Sequence, residues 1–265
     1  MAEELRLSVS KCKLFLDCKK KFQFNYIHKL PKKVWEFHTL GKFCHQVLED
    51  FHNAYIRNNS QCSLNVEMGN AYRRALQTYG SHMNSEMKKE CHLMMDQYLQ
   101  IVSHDKNNNL SANVLDVEKK FTLPISENIA LTGMIDRVQL DPDNILHLAD
   151  YKTAKEKKYL KDDWFQLMTY GFVMLHEDPT LTKVRCSYIM LRHNFEYLTK
   201  EFSAEELLGI KDKYLEYARQ MAEETEFLPN PSILCKFCDF LESCPEGKNM
   251  ADKIGTPSVY GAVSW

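Results

Sequence analysis

Apolar residues recur at helical spacing through the N-terminal part of the chain. Ser8 to Leu30 predicts a helix with Ser8 as its cap and Leu14, Phe15, Phe22, Phe24 and Tyr26 interleaved among lysines. Leu40 to Ile56 predicts a second helix, and Val66 to Val102 a helical stretch broken near Gly80 that ends in the polar loop His104 to Ala112. The pattern then changes to strands. Val114 to Ile125, Ile129 to Leu140 and Ile145 to Lys152 predict three of them, the last two joined by the turn Asp141-Pro142-Asp143-Asn144. A helix from about Asp162 to His176, a strand pair Val184 to Arg192 and Glu196 to Phe202, and a long amphipathic helix Ala204 to Glu224 follow. This order suits a mixed α/β sheet flanked by helices better than a bundle or a sandwich.

No Pro/Gly/Ser-rich linker divides the 265 residues, so one elaborated domain is expected over 1–250, with a tail at 251–265. Within it lie a helical part at 8–103, a core at 114–224 and a cysteine-bearing loop at 229–248. No apolar run approaches bilayer length, and Met1 to Ser10 carries Glu3 and Glu4 where a signal peptide would be basic, so a soluble, intracellular protein without a membrane partner is expected. Nine cysteines, an odd number, then read as thiols or metal ligands rather than disulfides. The net charge of −2 argues against coating nucleic acid by bulk charge. Lysines nevertheless crowd two segments, from Lys11 to Lys33 and from Lys152 to Lys161, and suit phosphate contacts there.

Two carboxylates carry the candidate chemistry. Asp136 stands in Gly133-Met134-Ile135-Asp136-Arg137, and Asp150-Tyr151-Lys152 closes the next strand. The two strand ends can converge across a hairpin, and two Asp side chains with a backbone carbonyl form half a cage for a hard ion such as magnesium or manganese. Period-2 geometry puts Lys152 on the face of Asp150, where an ammonium can orient water or stabilise charge on a phosphate. The same residues could be solvent-facing hairpin ends with a salt bridge. Against that, Asp150 follows the apolar run Ile145 to Ala149, where a carboxylate needs a partner.

A second constellation is Cys235-x-x-Cys238-x5-Cys244-Pro245. Three thiolates need a fourth ligand, and by chemistry alone both Cys12 and Cys18 can supply it, to zinc or to a [4Fe–4S] cluster. Cys44, Cys62, Cys91 and Cys186 read as ordinary thiols. The chain has no Gly-x4-Gly-Lys-Ser/Thr loop, so a motor would be another chain.

In these blocks, taken in order, the sequence resembles the PD-(D/E)XK nuclease superfamily and its RecB/AddB-like branch. The blocks are Ser8 to Ile27 with Cys18, Gly41 to Phe51 with His45, Gly133 to Val138, Leu148 to Thr153, Gln166 to Tyr170, and the cysteine trio. The resemblance implies a restriction-endonuclease-like core and Mg2+ or Mn2+ held by His45, Asp136, Asp150 and the Tyr151 carbonyl. It further implies Lys152 acting on the nucleophilic water, Gln166 and Tyr170 orienting substrate, and Glu49 as an outer partner of His45. Cys18 with Cys235, Cys238 and Cys244 would hold a [4Fe–4S] cluster joining the N- and C-terminal segments. The implied activity is that of a DNA exonuclease on single-stranded ends in recombination, repair or end processing, with a separate helicase or recombination partner. The alternatives are a CRISPR-associated-type DNA-trimming nuclease and a catalytically inactive DNA-binding or scaffold protein.

Overall fold

The computed structural model describes residues 4–33, 35–57, 63–104, 113–157, 160 and 163–254. The expectations for Cys62, Lys158, Lys161, Asp162 and the end of the tail lie outside the described residues. Two compact units divide the chain: unit 1 is 1–34, 122–133 and 211–263, and unit 2 is 35–121, 134–210 and 264–265. No helix among the described residues is long and apolar enough to cross a membrane.

Unit 2 begins with three helices, α3 (Glu36–Arg57), α4 (Leu64–Tyr79) and α5 (Ser85–His104). Their apolar faces build a core that includes Phe43, Leu48, Phe51, Met95 and Tyr98, joined from the sheet by Tyr151 and Ile189. The strands are β2 (Val114–Ser126), β3 (Ile129–Leu140), β4 (Leu146–Lys152), β5 (Lys183–Met190) and β6 (Glu196–Ser203). The turn expected at Asp141 is present: Asn144 N donates to the Asp141 carbonyl at 2.8 Å, and Asn144 sits at φ 61°. That turn sets β3 and β4 antiparallel, with Arg137 opposite Ala149 and Leu140 opposite Leu146. β4 then runs parallel to β5 through the crossover helix α6 (Phe165–Glu177), and β5 pairs antiparallel with β6. Gly171 lets α6 approach closely, since a Cβ there would meet Leu207 at 2.9 Å and Val184 at 3.0 Å.

In unit 1 a short strand that the sequence pattern did not predict, β1 (Leu5–Leu7), runs parallel to the start of β3 with Leu5 opposite Ile129. The sheet order is β1-β3-β4-β5-β6, with β2 also on β3. Ser8 caps the next helix as expected, accepting from Lys11 N at 3.2 Å. The single helix expected over Ser8 to Leu30 is instead three pieces. α1 (Val9–Asp17) stops at Cys18, whose extended backbone (φ −160°, ψ 106°) also caps α2 (Lys19–Phe22), and a π-helical turn follows at Gln23–Ile27. Similarly, the helix expected over Ala204 to Glu224 breaks at Gly209 into α7 (Ala204–Leu208) and α8 (Ile210–Glu223). Phe15, Phe22 and Phe227 form the small core of unit 1, and α9 (Pro245–Ile254) follows the last cysteine.

Candidate metal centre and cysteine cluster

Asp136 and Asp150 are 7% and 2% exposed, on adjacent antiparallel strands. Their oxygens are differently engaged. Asp136 Oδ2 accepts from Tyr151 N at 2.8 Å, and Asp150 Oδ1 accepts from Gln166 Nε2 at 2.6 Å and Tyr170 Oη at 3.2 Å. Asp150 Oδ2 lies 2.6 Å from Lys152 Nζ as an ion pair, yet it is buried and receives no hydrogen bond of acceptable geometry. Gln166 links the group from α6: its Oε1 accepts from Lys152 Nζ at 2.9 Å and its Nε2 also reaches Tyr170 Oη at 2.7 Å. The Lys152 ammonium further sits over the Tyr188 ring, 5.3 Å from its centroid.

His45 comes from α3. Its Nε2 is 3.0 Å from the Tyr151 carbonyl, and its Nδ1 faces Asp136 Oδ2 at 3.4 Å and Glu118 Oε1 at 3.8 Å. Glu118 was not anticipated. It lies on β2 at φ 50°, where the buried positions Val114 and Val117 stand three apart and break the strand's period of two. That break is the signal that could have marked it. Glu49, expected beside His45, accepts from Gln46 at 3.1 Å and lines with Glu118, Asp116, Lys119 and Lys120 an open cleft of about 570 Å³.

Negative charge dominates this group. Burial and then the Asp150 charge push the Asp136 carboxyl well above its ordinary value, with His45 acting against them. For His45, burial favours the neutral ring but is outweighed by Asp136, Glu118 and Asp150, which raise it to about 9. A buried carboxyl raised by burial and by a neighbouring carboxylate, with a histidine beside it, is a donor set that a divalent cation fits.

On the far side of β3 and β4, Arg137 is fully buried and donates to three tyrosines, Tyr98 and Tyr151 at 3.3 Å each and Tyr197 at 2.7 Å. Tyr98 Oη is also 2.6 Å from His52 Nε2.

In unit 1 the described cysteines are free thiols. Cys18 Sγ accepts from Lys21 N at 3.4 Å and from Asn230 N at 3.5 Å, and Asn230 Nδ2 donates to the Asp17 carbonyl at 2.9 Å. The C-terminal loop thus lies on the α1–α2 break. Cys235 Sγ accepts from Ser232 N and Cys244 Sγ from Gly247 N, each at 3.3 Å. A Cβ at Gly247 would meet the Cys244 sulfur at 3.3 Å, so glycine permits that close approach. Burial first, and then among other charges that of Cys18, push the Cys238 and Cys244 thiols up. Cys12 instead is fully buried, and burial, opposed by Lys11, pushes its thiol up to about 12. Backbone N–H groups directed at the Cys18, Cys235 and Cys244 sulfurs favour thiolates, against the burial that pushes Cys238 and Cys244 up.

The model of the PD-(D/E)XK nuclease superfamily matches residues 6–245, and the chain belongs to that family. That family is one of nucleases, phosphodiester hydrolases that use divalent metals. Among curated proteins it is similar to a subunit of the ATP-dependent helicase/deoxyribonuclease of two strains of Clostridium perfringens, in each case 24% identical over 221 residues. That likeness covers 68% of this chain and only 18% of the relative. A solved structure from Eubacterium rectale, described as an exonuclease, superposes with a TM-score of 0.52 at 10% identity, over 88% of this chain and 86% of the other. At that identity the likeness speaks for the fold alone.

Proposed function

We propose that this chain is an exonuclease that hydrolyses phosphodiesters at single-stranded DNA ends, using the Asp136, Asp150 and Lys152 group. The observation that carries the reading is the pair of buried carboxylates on adjacent strands, with an ammonium 2.6 Å from one Asp150 oxygen. Asp136 and Asp150 would hold a divalent cation, with His45 and the Tyr151 carbonyl beside them; when bound, it supplies Lewis-acid polarisation of phosphate and water. Lys152, held by Gln166 and the Tyr188 face, orients the attacking water and stabilises charge developing on the phosphate oxygens. Gln166 and Tyr170 fix Asp150 in place.

Preference for single strands is supported in unit 1 by ammonium groups set over half-buried aromatic rings, Lys11 over Tyr26 and Lys20 over Phe24, on a basic segment. Cys18, Cys235, Cys238 and Cys244 would hold a [4Fe–4S] cluster that fastens that segment to the C-terminal loop. The Clostridium relative is named as part of a helicase/deoxyribonuclease, which supports a separate helicase as partner.

The test is cleavage of end-labelled single-stranded and blunt duplex DNA with magnesium or manganese. Asp150→Asn and Lys152→Ala should lose cleavage while keeping their circular dichroism and most DNA affinity, because phosphate contacts elsewhere carry binding. Wild-type cleavage rates in both variants would refute the assignment, and equal affinity for the two DNA forms would refute the single-strand preference.

A further inference from the structure

We propose that a cleft in unit 2, between α5 and the carboxyl ends of β4 and β5, is a subsite for one nucleotide of a DNA strand, beside the nucleotide whose phosphate is cut. The proposal rests on the nuclease reading above and extends that site along the DNA it would hold.

The cleft has a volume of about 350 Å³, at the lower end of the roughly 300–1,000 Å³ that takes small ligands. One wall is a single face of α5, with Glu90, Leu93, Met94 and Gln97 at helical spacing. The other is formed by Lys155, which follows Lys152 on the chain leaving β4, and by Arg192 and His193 just past the end of β5. β4 and β5 are parallel, with Lys152 opposite Met190, and ligands of open α/β sheets settle outside the carboxyl ends of such strands. The chain between Lys152 and Lys155 spans at most about 10–11 Å. It is also held in place. Arg192 Nη1 donates to the Thr153 carbonyl at 2.6 Å, and His193 Nε2 donates to the Lys155 carbonyl at 3.1 Å. A phosphate bound at Lys152 therefore leaves the adjoining nucleotide within reach of the cleft.

The two walls differ as the two parts of a nucleotide do. Arg192 grips Glu90 through Nε at 2.6 Å and Nη2 at 3.0 Å. With the bond to Thr153, these engage three of the five N–H donors of the guanidinium, and the others remain for a phosphate oxygen. Glu90 balances one of the two cations lining the cleft, Lys155 and Arg192, so the lining keeps a positive excess. This also gives work to the lysine-rich segment beyond Lys152, which the catalytic group leaves unused. Opposite, Leu93 is 53% exposed beside the buried Met94, and the face of a base laid on it would remove that apolar surface from water. The Gln97 amide, on the same wall, can both donate to and accept from a base edge. An inorganic anion would use only the cationic wall and an apolar ligand only the helix, whereas a nucleotide uses both.

The experiment measures binding of the full chain to end-labelled single-stranded DNA without divalent metal, so that nothing is cut, with one abasic site walked along the oligonucleotide. The wild type should lose about 3- to 10-fold in affinity when the abasic site falls at one or two particular positions near the end, and Leu93→Ala should flatten that profile with unchanged circular dichroism. Lys155→Ala, which tests the other wall independently, should weaken binding at every position and reduce the slope of log affinity against log salt by about 0.7, the value for one phosphate contact on a single strand. A flat wild-type profile, a Leu93→Ala profile identical to the wild type, or an unchanged salt slope in Lys155→Ala overturns the proposal. Cleavage by Asp150→Asn separates the two levels. If that variant loses cleavage while the abasic profile is flat, only the subsite falls; normal cleavage by Asp150→Asn sinks the nuclease reading itself.

Discussion

Replacing Gln166 with leucine removes the side chain that holds Asp150 and Lys152 in register without removing either of them. Gln166 Nε2 donates to Asp150 at 2.6 Å and its Oε1 accepts from Lys152 at 2.9 Å. Hydrogen bonds to charged groups contribute about 1.5–3 kcal/mol each, so the two together set an upper limit of about 3–6 kcal/mol. Part of that is recovered. Asp150 and Lys152 remain 2.6 Å apart as an ion pair, and Tyr170 still reaches Asp150 at 3.2 Å. A net loss near one such bond, about 1.5–3 kcal/mol, corresponds to a cleavage rate about 10- to 100-fold lower. Single-turnover cleavage of end-labelled single-stranded DNA at saturating magnesium measures it, and the loss should fall on the rate at saturating DNA rather than on DNA affinity. A Gln166→Leu protein that cleaves at the wild-type rate would refute the idea that this amide positions the ammonium and the carboxylate. A change confined to affinity would instead make Gln166 a DNA contact.

The Arg137 hub should matter to stability before it matters to chemistry. Tyr197→Phe removes the acceptor 2.7 Å from Arg137 and should lower the melting temperature by about 3–12 °C, measured by calorimetry, with an unchanged melting temperature counting against the hub. For the cysteines, anaerobically purified protein should be brown with iron and acid-labile sulfide. Cys18→Ser should bleach it and make it protease-sensitive, whereas Cys12→Ser should keep the colour; zinc without sulfide, or the reverse pattern between the two cysteines, would correct the cofactor or the ligand.

What the sequence made legible was what strand periodicity and local turn chemistry control. The hairpin of β3 and β4 follows from its apolar runs and its Asp-Pro-Asp-Asn turn, and Asp136, Asp150 and Lys152 follow from the hairpin. The position of Gln166 four residues before Tyr170 gave their common helix face. Less regular features left no such trace. Cys18 breaks its helix through a single extended residue, within a run whose apolar spacing continues across the break. Glu118 reaches the site because β2 loses its alternation at that point, and its one mark, the three-residue spacing of Val114 and Val117, is what a period-2 reading passes over. The buried Arg137 is legible only once α5, β4 and β6 have brought Tyr98, Tyr151 and Tyr197 around it, and those residues are widely separated in sequence.

That hub bears on the site through the alternation of the same two strands. On β3, Asp136 and Arg137 are neighbours with opposite faces, and on β4, Asp150 and Tyr151 are neighbours in the same relation. Each strand therefore delivers one carboxylate to the candidate site and one member of the Arg–Tyr hub to the helix side. The two sides are also joined at the backbone, since Asp136 accepts from Tyr151 N at 2.8 Å while the Tyr151 carbonyl meets His45 at 3.0 Å. Among the described residues the buried guanidinium donates to hydroxyls rather than to a carboxylate, an expensive placement that three hydroxyls offset only if they are held in position. The rigidity this demands on one face is what the other face uses. Two carboxylates that repel each other stay together because the strands carrying them cannot separate without also breaking the hub.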